Sequence, residues 1–209
     1  MTALQTDSDT SSTRDRILRE AARLFAEKGF YGTSTREIAA AAEIRQPSVF
    51  HHFPTKDAIM LALIDINLDQ PTAVAEREAE SDDPAAVRLY RYLVWDISFI
   101  CRCEFDLTTA EPIKADPAFA DQYPRYQRLV AARRAIIEDG IAGGEFIDTD
   151  VDLAQKIIVW ILRGDIADCR GIVGPEVADM ANTLASFTVR ALMRDPSQLD
   201  SIGAAAGAA

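Results

Sequence analysis

Cysteine and histidine are both scarce in this chain, with three of the first and two of the second among 209 residues. Cys101 and Cys103 stand two apart, which on a helix turns them to nearly opposite sides and prevents them from chelating one metal. With Cys169 the count is odd, which argues against a disulfide framework. Free cysteine is usually buried, so all three read as structural thiols, with a redox sensor as the alternative. His51 and His52 are adjacent and equally poor partners for one ion. There is no glycine-rich phosphate loop, no Ser/His/Asp set with a distinct base and no HxxE spacing, so no enzyme, metal or cofactor is expected. No positively charged start precedes an apolar stretch, so no signal peptide is expected. Long apolar runs are missing too, and Asp96 and Arg102 interrupt the most apolar segment, so no membrane span is expected and the compartment is read as cytoplasmic. Strand alternation is absent: every long periodic segment has helical spacing.

What the chain does have is charge segregated by position. The formal net charge is −11, yet Arg14 to Lys56 holds eight Lys/Arg against five Asp/Glu. A mildly basic head on an acidic body concentrates a field favourable to nucleic acid at one end. Residues 1–12 are polar and expected to be disordered. Thr13 is expected to cap a helix running to about Lys28, with Ile17, Ala21, Leu24 and Phe25 as its buried stripe and Gly29 as its stop.

Thr33 to Lys56, TSTREIAAAAEIRQPSVFHHFPTK, reads as two short helices and a turn. Ser34 or Thr33 caps the first, with Glu37 placed to close a capping box onto Ser34. Glu43 and Ile44 make the turn, and Pro47 sits in the first turn of the second helix. Val49 and Phe53 face inward. That leaves Arg36, Arg45, Gln46, Ser48, His51, His52 and Lys56 outside, and no carboxylate lies between Arg45 and Lys56. A donor-rich helix on a compact support suits a major groove.

This stretch resembles the helix-turn-helix of the tetracycline-repressor (TetR) family over about residues 13 to 60. The shared features are an amphipathic helix ending at Gly29-Phe30, a Thr-rich second helix from Thr33, and the ending Phe50-His51-His52-Phe53 before Lys56. Gln46-Pro47 also matches the recognition helix of the repressor that gives the family its name. The resemblance implies that Ser34, Thr35, Arg36, Arg45, Gln46, Pro47, Ser48, Phe50, His51, His52 and Lys56 contact DNA. In that scheme Arg36 reaches a guanine, Gln46 an adenine edge, and Pro47 and Phe50 thymine methyls, while Thr35, His52 and Lys56 hold phosphates. The family usually has Tyr where this chain has Phe50, so any hydroxyl contact there is lost.

Downstream, a helix from Thr55 is expected to weaken or end at Asn67–Pro71. Residues 85–103 are apolar on almost every side and read as a central helix. Prolines 112, 117 and 124 break the next stretch. Further helices are expected from Pro124 to Gly143, over 151–169 and over 175–194, then a flexible tail over 196–209. The expected fold is all-α, with a helix-turn-helix domain over 13–60 and a helical effector-binding and dimerisation domain over 61–195. Asp96 either pairs with a basic neighbour, reaches solvent, or faces a cavity and anchors a ligand, and Arg163 and Asp165 pose the same choice. Trp95, Asp96, Phe99, Cys103, Phe105, Tyr126, Trp160 and Arg163 are the candidate lining of a largely apolar pocket for a small, mostly hydrophobic effector. The resemblance implies that 151–169 and 175–194 of two chains form a four-helix bundle, and Ala181, Leu184, Ala185, Thr188, Ala191 and Leu192 supply a flat stripe for it. The function implied is a homodimeric repressor released from a palindromic operator by that effector. The alternatives are a constitutive DNA-binding dimer without effector, or an enzyme using the body pocket.

Overall fold

The computed structural model describes residues 12–103, 116–164 and 174–207, the side chains of 162–164 excepted. The fold is all-α. Among the described residues the helices are α1 Thr13–Lys28, α2 Thr35–Ala41, α3 Gln46–His52, α4 Lys56–Glu80, α5 Ala85–Arg102, α6 Tyr123–Ala142, α7 Val151–Gly164, α8 Pro175–Leu192 and α9 Leu199–Gly207. Short 3-10 turns at Pro117–Gln122 and Pro196–Gln198 precede α6 and α9. The expectations for residues 1–11, for the irregular stretch over 104–115 and for the helix beyond Gly164 fall outside the described residues. The described residues divide into two compact units, one ending at Asn67 and the other beginning at Leu68, both within α4.

In the first unit, Ser12 caps α1, accepting the Asp15 N–H at 3.1 Å, one residue before the expected cap. Ile17, Leu18, Ala21, Ala22, Leu24 and Phe25 are buried along one face, and each large apolar side chain so removed from water contributes about 1.5–3 kcal/mol. Gly29 ends the helix at φ +77°, where a side chain would be strained, and returns its N–H to the Phe25 carbonyl at 2.9 Å. Thr33 is buried, and its hydroxyl donates to the carbonyls of Leu24 at 3.1 Å and Gly29 at 2.9 Å. The entry to α2 is thereby fixed onto the end of α1.

The expected break at Asn67–Pro71 does not occur: α4 continues to Glu80 with Pro71 inside it. Proline removes one backbone bond and strains the preceding turn, but Val74, Ala75 and Glu78 beyond it are buried. The end of α4 is also clamped by α5. Arg91 donates to the Glu78 carboxylate at 2.7 Å, and Arg88 donates to the Ala79 carbonyl at 3.1 Å. By length and composition α4 is apolar enough to cross a bilayer. It carries Lys56, Asp57, Asp65 and Asp69, however, and buries Ile59, Met60, Leu63, Ile64, Leu68 and Ala75 within the two units, as a core helix does.

The second unit is built around α5, which packs against α6, α8 and α9 and buries Leu89, Tyr92, Leu93 and Ile97. Its N-terminus is capped from far along the chain: the Glu145 carboxylate accepts the N–H groups of Ala85 at 2.9 Å and Ala86 at 3.0 Å. A carboxylate there satisfies orphan donors and favours the positive end of the helix dipole. Phe146, fully buried, lies so close to Gly140 that a Cβ there would fall 2.2 Å from its ring. The same loop is tied to the end of α8 by a bridge between Phe146 and Met193 and by the Ile147 N–H on the Leu192 carbonyl at 2.8 Å. The flexible tail expected over 196–209 is instead a 3-10 turn followed by α9 up to Gly207, with Ile202 buried. Alanine, the best helix former, supplies much of α9. The helix lies against α5 at Gly203, where an added Cβ would meet the Tyr90 hydroxyl oxygen at 3.6 Å.

Candidate nucleic-acid interface and ligand cleft

The head presents α3 by turning Val49 and Phe53 inward, with 0% and 4% of their surface exposed. Glu43, at φ 54°, makes the reversal between α2 and α3. Ser34 caps α2 in a complete capping box with Glu37. Lys28 also donates to the Glu37 carboxylate at 2.7 Å, and this bond, with those from Ser34, holds the carboxyl down to about 2. At neutral pH the acid of α2 is therefore ionised and already partnered.

Arg36, Arg45, Pro47, Phe50, His51 and His52 are exposed, and Thr35, Gln46 and Ser48 are half-buried. Among the described residues neither Arg36 nor Arg45 has a carboxylate partner. The Gln46 amide donates to the Thr35 hydroxyl at 3.1 Å. That bond uses one of its two N–H groups, leaving one donor and the carbonyl oxygen. These are the two groups that an adenine edge requires.

Lys56 has a structural role beside the phosphate contact that the resemblance implies. Its ammonium donates to the carbonyls of Phe30 at 2.7 Å and Thr33 at 2.9 Å, and lies 4.2 Å from the Phe30 ring centroid. Two of its three N–H donors hold the α1–α2 connection, which leaves the third for a phosphate. Tyr31, 77% exposed beside this lysine, was not singled out from the sequence. Aromatics are more often core than surface, and nothing in its neighbours' spacing marks it.

The candidate pocket residues divide. Trp95, Phe99 and Cys103 line one cleft of about 260 Å³ with Gln70 and Arg102. Trp95 and Phe99 are stacked, with ring centroids 5.1 Å apart and planes 11° apart. A second cleft, of about 320 Å³, shares Trp95 and Arg102 and is completed by Tyr90, Val94, Ser98, Asn182 and residues of α9. Asp96 lines neither. It is turned into the core, where the Tyr92 hydroxyl donates to it at 3.1 Å. Burial pushes its carboxyl up, and the charge of Arg133 pulls it back in part. Tyr126 lies against Tyr123 on α6, and Trp160 is 66% exposed on α7. Phe105, Asp165 and the side chain of Arg163 lie outside the described residues. Arg102 and Gln70 were missed. Arg102 stands seven residues after Trp95 and three after Phe99, a helical spacing that could have marked it.

The expected dimer stripe also needs correction. Ala181, Ala185, Thr188 and Leu192 are buried within the chain, on α8, the helix that packs against α5. They repeat at helical spacing and form the inward face. Leu184 and Ala191 lie beside them on a partly exposed stripe with Phe187, which is 67% exposed.

Comparison with known proteins agrees with the geometry of the head. Residues 17–63 match the family described as bacterial regulatory proteins, tetR family. The transcriptional repressor KstR2 of Mycolicibacterium smegmatis is 37% identical over 167 residues, covering 76% of this chain and 82% of that protein. The crystal structure of Mycobacterium smegmatis AmtR superposes with a TM-score of 0.72 at 28% identity, covering 96% of each chain. AibR, solved in complex with isovaleryl coenzyme A and operator DNA, shares the fold with a TM-score of 0.67 at 19% identity, over 88% of this chain and 99% of that one. With its helix-turn-helix matched by the family model and most of its length matched to a repressor of that kind, the chain belongs to the tetR family of bacterial regulatory proteins.

Proposed function

We propose that the protein is a transcriptional repressor that grips a near-palindromic operator through α2 and α3 of two chains and releases it when a small molecule enters the body. The observation that carries this is the outer face of α2 and α3: Arg36 and Arg45 without carboxylate partners among the described residues, and Gln46 oriented by Thr35 with an adenine-matching donor and acceptor left over. KstR2 is named a repressor, and AibR holds a ligand and an operator in one complex, which supports the two-site reading.

In this reading Arg36 and Gln46 read bases, Pro47 and Phe50 touch thymine methyls, and Ser34, Thr35, Arg45, Ser48, His51 and His52 reach phosphates or flanking base edges. Dimerisation uses the outward stripe of α8, Leu184, Phe187 and Ala191, together with Leu153, Ile157 and Trp160 of α7, all three exposed. The ligand enters beside Trp95, Phe99 and Cys103. Release is a population shift: a ligand that favours a state with misaligned heads weakens operator affinity by linkage. Lys56 and Gln70 both belong to α4, which makes that helix the natural lever.

Selection of bound duplexes from random DNA tests the base-reading part. The expected product is two inverted half-sites, because a two-fold dimer reads two equal sequences. Gln46→Ala should then relax preference at one base pair per half-site, at a cost of about 1–3 kcal/mol. An asymmetric selected site, or unchanged selectivity in the variant, contradicts it.

A further inference from the structure

We infer that the ligand of the body is an amphipathic anion, its oxyanion held by Arg102 and its apolar part laid against the Trp95–Phe99 stack. This rests on the effector reading above and adds the chemical class of the molecule and the residue that selects it.

Three observations point the same way. The first is the unpaired state of Arg102 in an acidic chain. Arg77, Arg88, Arg91, Arg125, Arg128 and Arg134 each hold a carboxylate. Arg102 holds none among the described residues. Its Nε donates to the Ser98 carbonyl at 2.9 Å, which fixes the guanidinium on the last turn of α5 and leaves the two terminal NH2 groups for another acceptor. A planar fork of this kind matches a carboxylate or phosphate.

The second is position. Arg102 and Trp95 are common to both clefts, of about 260 and 320 Å³. Arg102 therefore borders both spaces, and the first of them is also lined by both stacked rings. The third is the sign of the surroundings. Among the described residues of these linings Gln70 and Asn182 are the amides, and none is a carboxylate. The remaining charge is Arg91, at the second cleft, already bonded to Glu78 and Asp83. Such a site repels cations and gives a neutral molecule no partner for Arg102. An apolar body with one oxyanion satisfies both the rings and the arginine.

Intrinsic fluorescence tests this without DNA. The chain has two tryptophans, so Trp160→Phe leaves Trp95 as the reporter inside the site. The probes are decanoate, decyl phosphate and decanol, each below its micelle concentration. Decanoate and decyl phosphate should shift Trp95 emission saturably, and their ratio tells which oxyanion is preferred. Decanol, with the same tail and no charge, should require about three- to tenfold more, a modest gap because Arg102 is exposed and screened. Arg102→Gln should abolish the gap while decanol affinity stays unchanged, and Arg102→Lys should keep part of it. Equal affinity for decanoate and decanol in the Trp160→Phe protein, or a gap that survives Arg102→Gln, overturns the inference. Duplex binding by the wild-type protein without ligand is measured in parallel. Intact duplex binding with no anion preference removes this inference alone; anion preference without duplex binding upholds it and removes the regulator reading.

Discussion

Lys56 opens α4 with its ammonium 2.7 Å from the Phe30 carbonyl and 2.9 Å from the Thr33 carbonyl. Its motif position marks it as a DNA contact, and only the folded connection between α1 and α2 reveals the two acceptors that hold it. Lys56→Ala should therefore destabilise the head by about 1–2 kcal/mol, the loss of charge-assisted hydrogen bonds at a half-buried site. Chemical denaturation followed by helical signal measures it. Unchanged stability, with a salt dependence of DNA binding reduced by about one phosphate, would leave Lys56 the phosphate role alone. Asp96 teaches the complementary lesson. The sequence showed a carboxylate on an apolar helix and left open whether it paired or faced a cavity. Its hydrogen-bond partner, Tyr92 on the same helix, and the charge that acts on it, Arg133 on α6, lie four and thirty-seven positions away, and the second distance is beyond what periodicity can read. Arg102 was legible in principle, through its helical spacing from Trp95 and Phe99, but a basic residue near a helix C-terminus has a ready dipole explanation that hides any other.

The elements of the head were the most legible, because their signals are local. Ser34 and Glu37 are three apart and form the capping box that their spacing implies. That box also makes α2 sensitive to acid. The Glu37 carboxyl is held down to about 2 in the folded head from an ordinary value of 4.5, so between those values the unfolded chain binds more protons. Its contribution is complete above about pH 4.5 and is lost as pH falls toward 2. Thermal midpoints of the wild type and Glu37→Gln should differ above that window and converge at its lower end. A constant difference across the window would remove Glu37 from the stability of α2. In the body the failures are tertiary. Pro71 argues for a helix end, but burial of Val74 and Ala75 and the Arg91–Glu78 pair carry α4 through it. The Gly/Ala composition of the C-terminus argues for a loose tail, yet Ile202 anchors α9 on α5. For α8 the period was right and the phase was not. Ala181, Ala185, Thr188 and Leu192 share one face, as read, but that face is the core, and small residues suit close packing on α5 as well as they would suit a partner chain.

At the scale of the whole molecule the outward stripes of α7 and α8 give dimerisation its test. Phe187 is 67% exposed and Trp160 66%, and large exposed aromatics on apolar stripes mark an interaction surface. Phe187→Glu should weaken the dimer by about 2 kcal/mol or more, the scale of a central aromatic anchor. Sedimentation should show a shift toward half the mass at the same concentration, and unchanged dimer mass would move the interface elsewhere. The charge pattern sets the most direct test of all. The chain carries −11 in total while its first basic segment, Arg14 to Lys56, has an excess of Lys/Arg over Asp/Glu, so duplex binding by the head must work against the field of the body. Titration of the selected duplex with the full chain at rising salt should give affinity that falls steeply, with a slope equivalent to roughly 6–10 phosphate contacts per dimer. Binding indifferent to salt, or no duplex binding at low salt, contradicts a regulator that acts through this head.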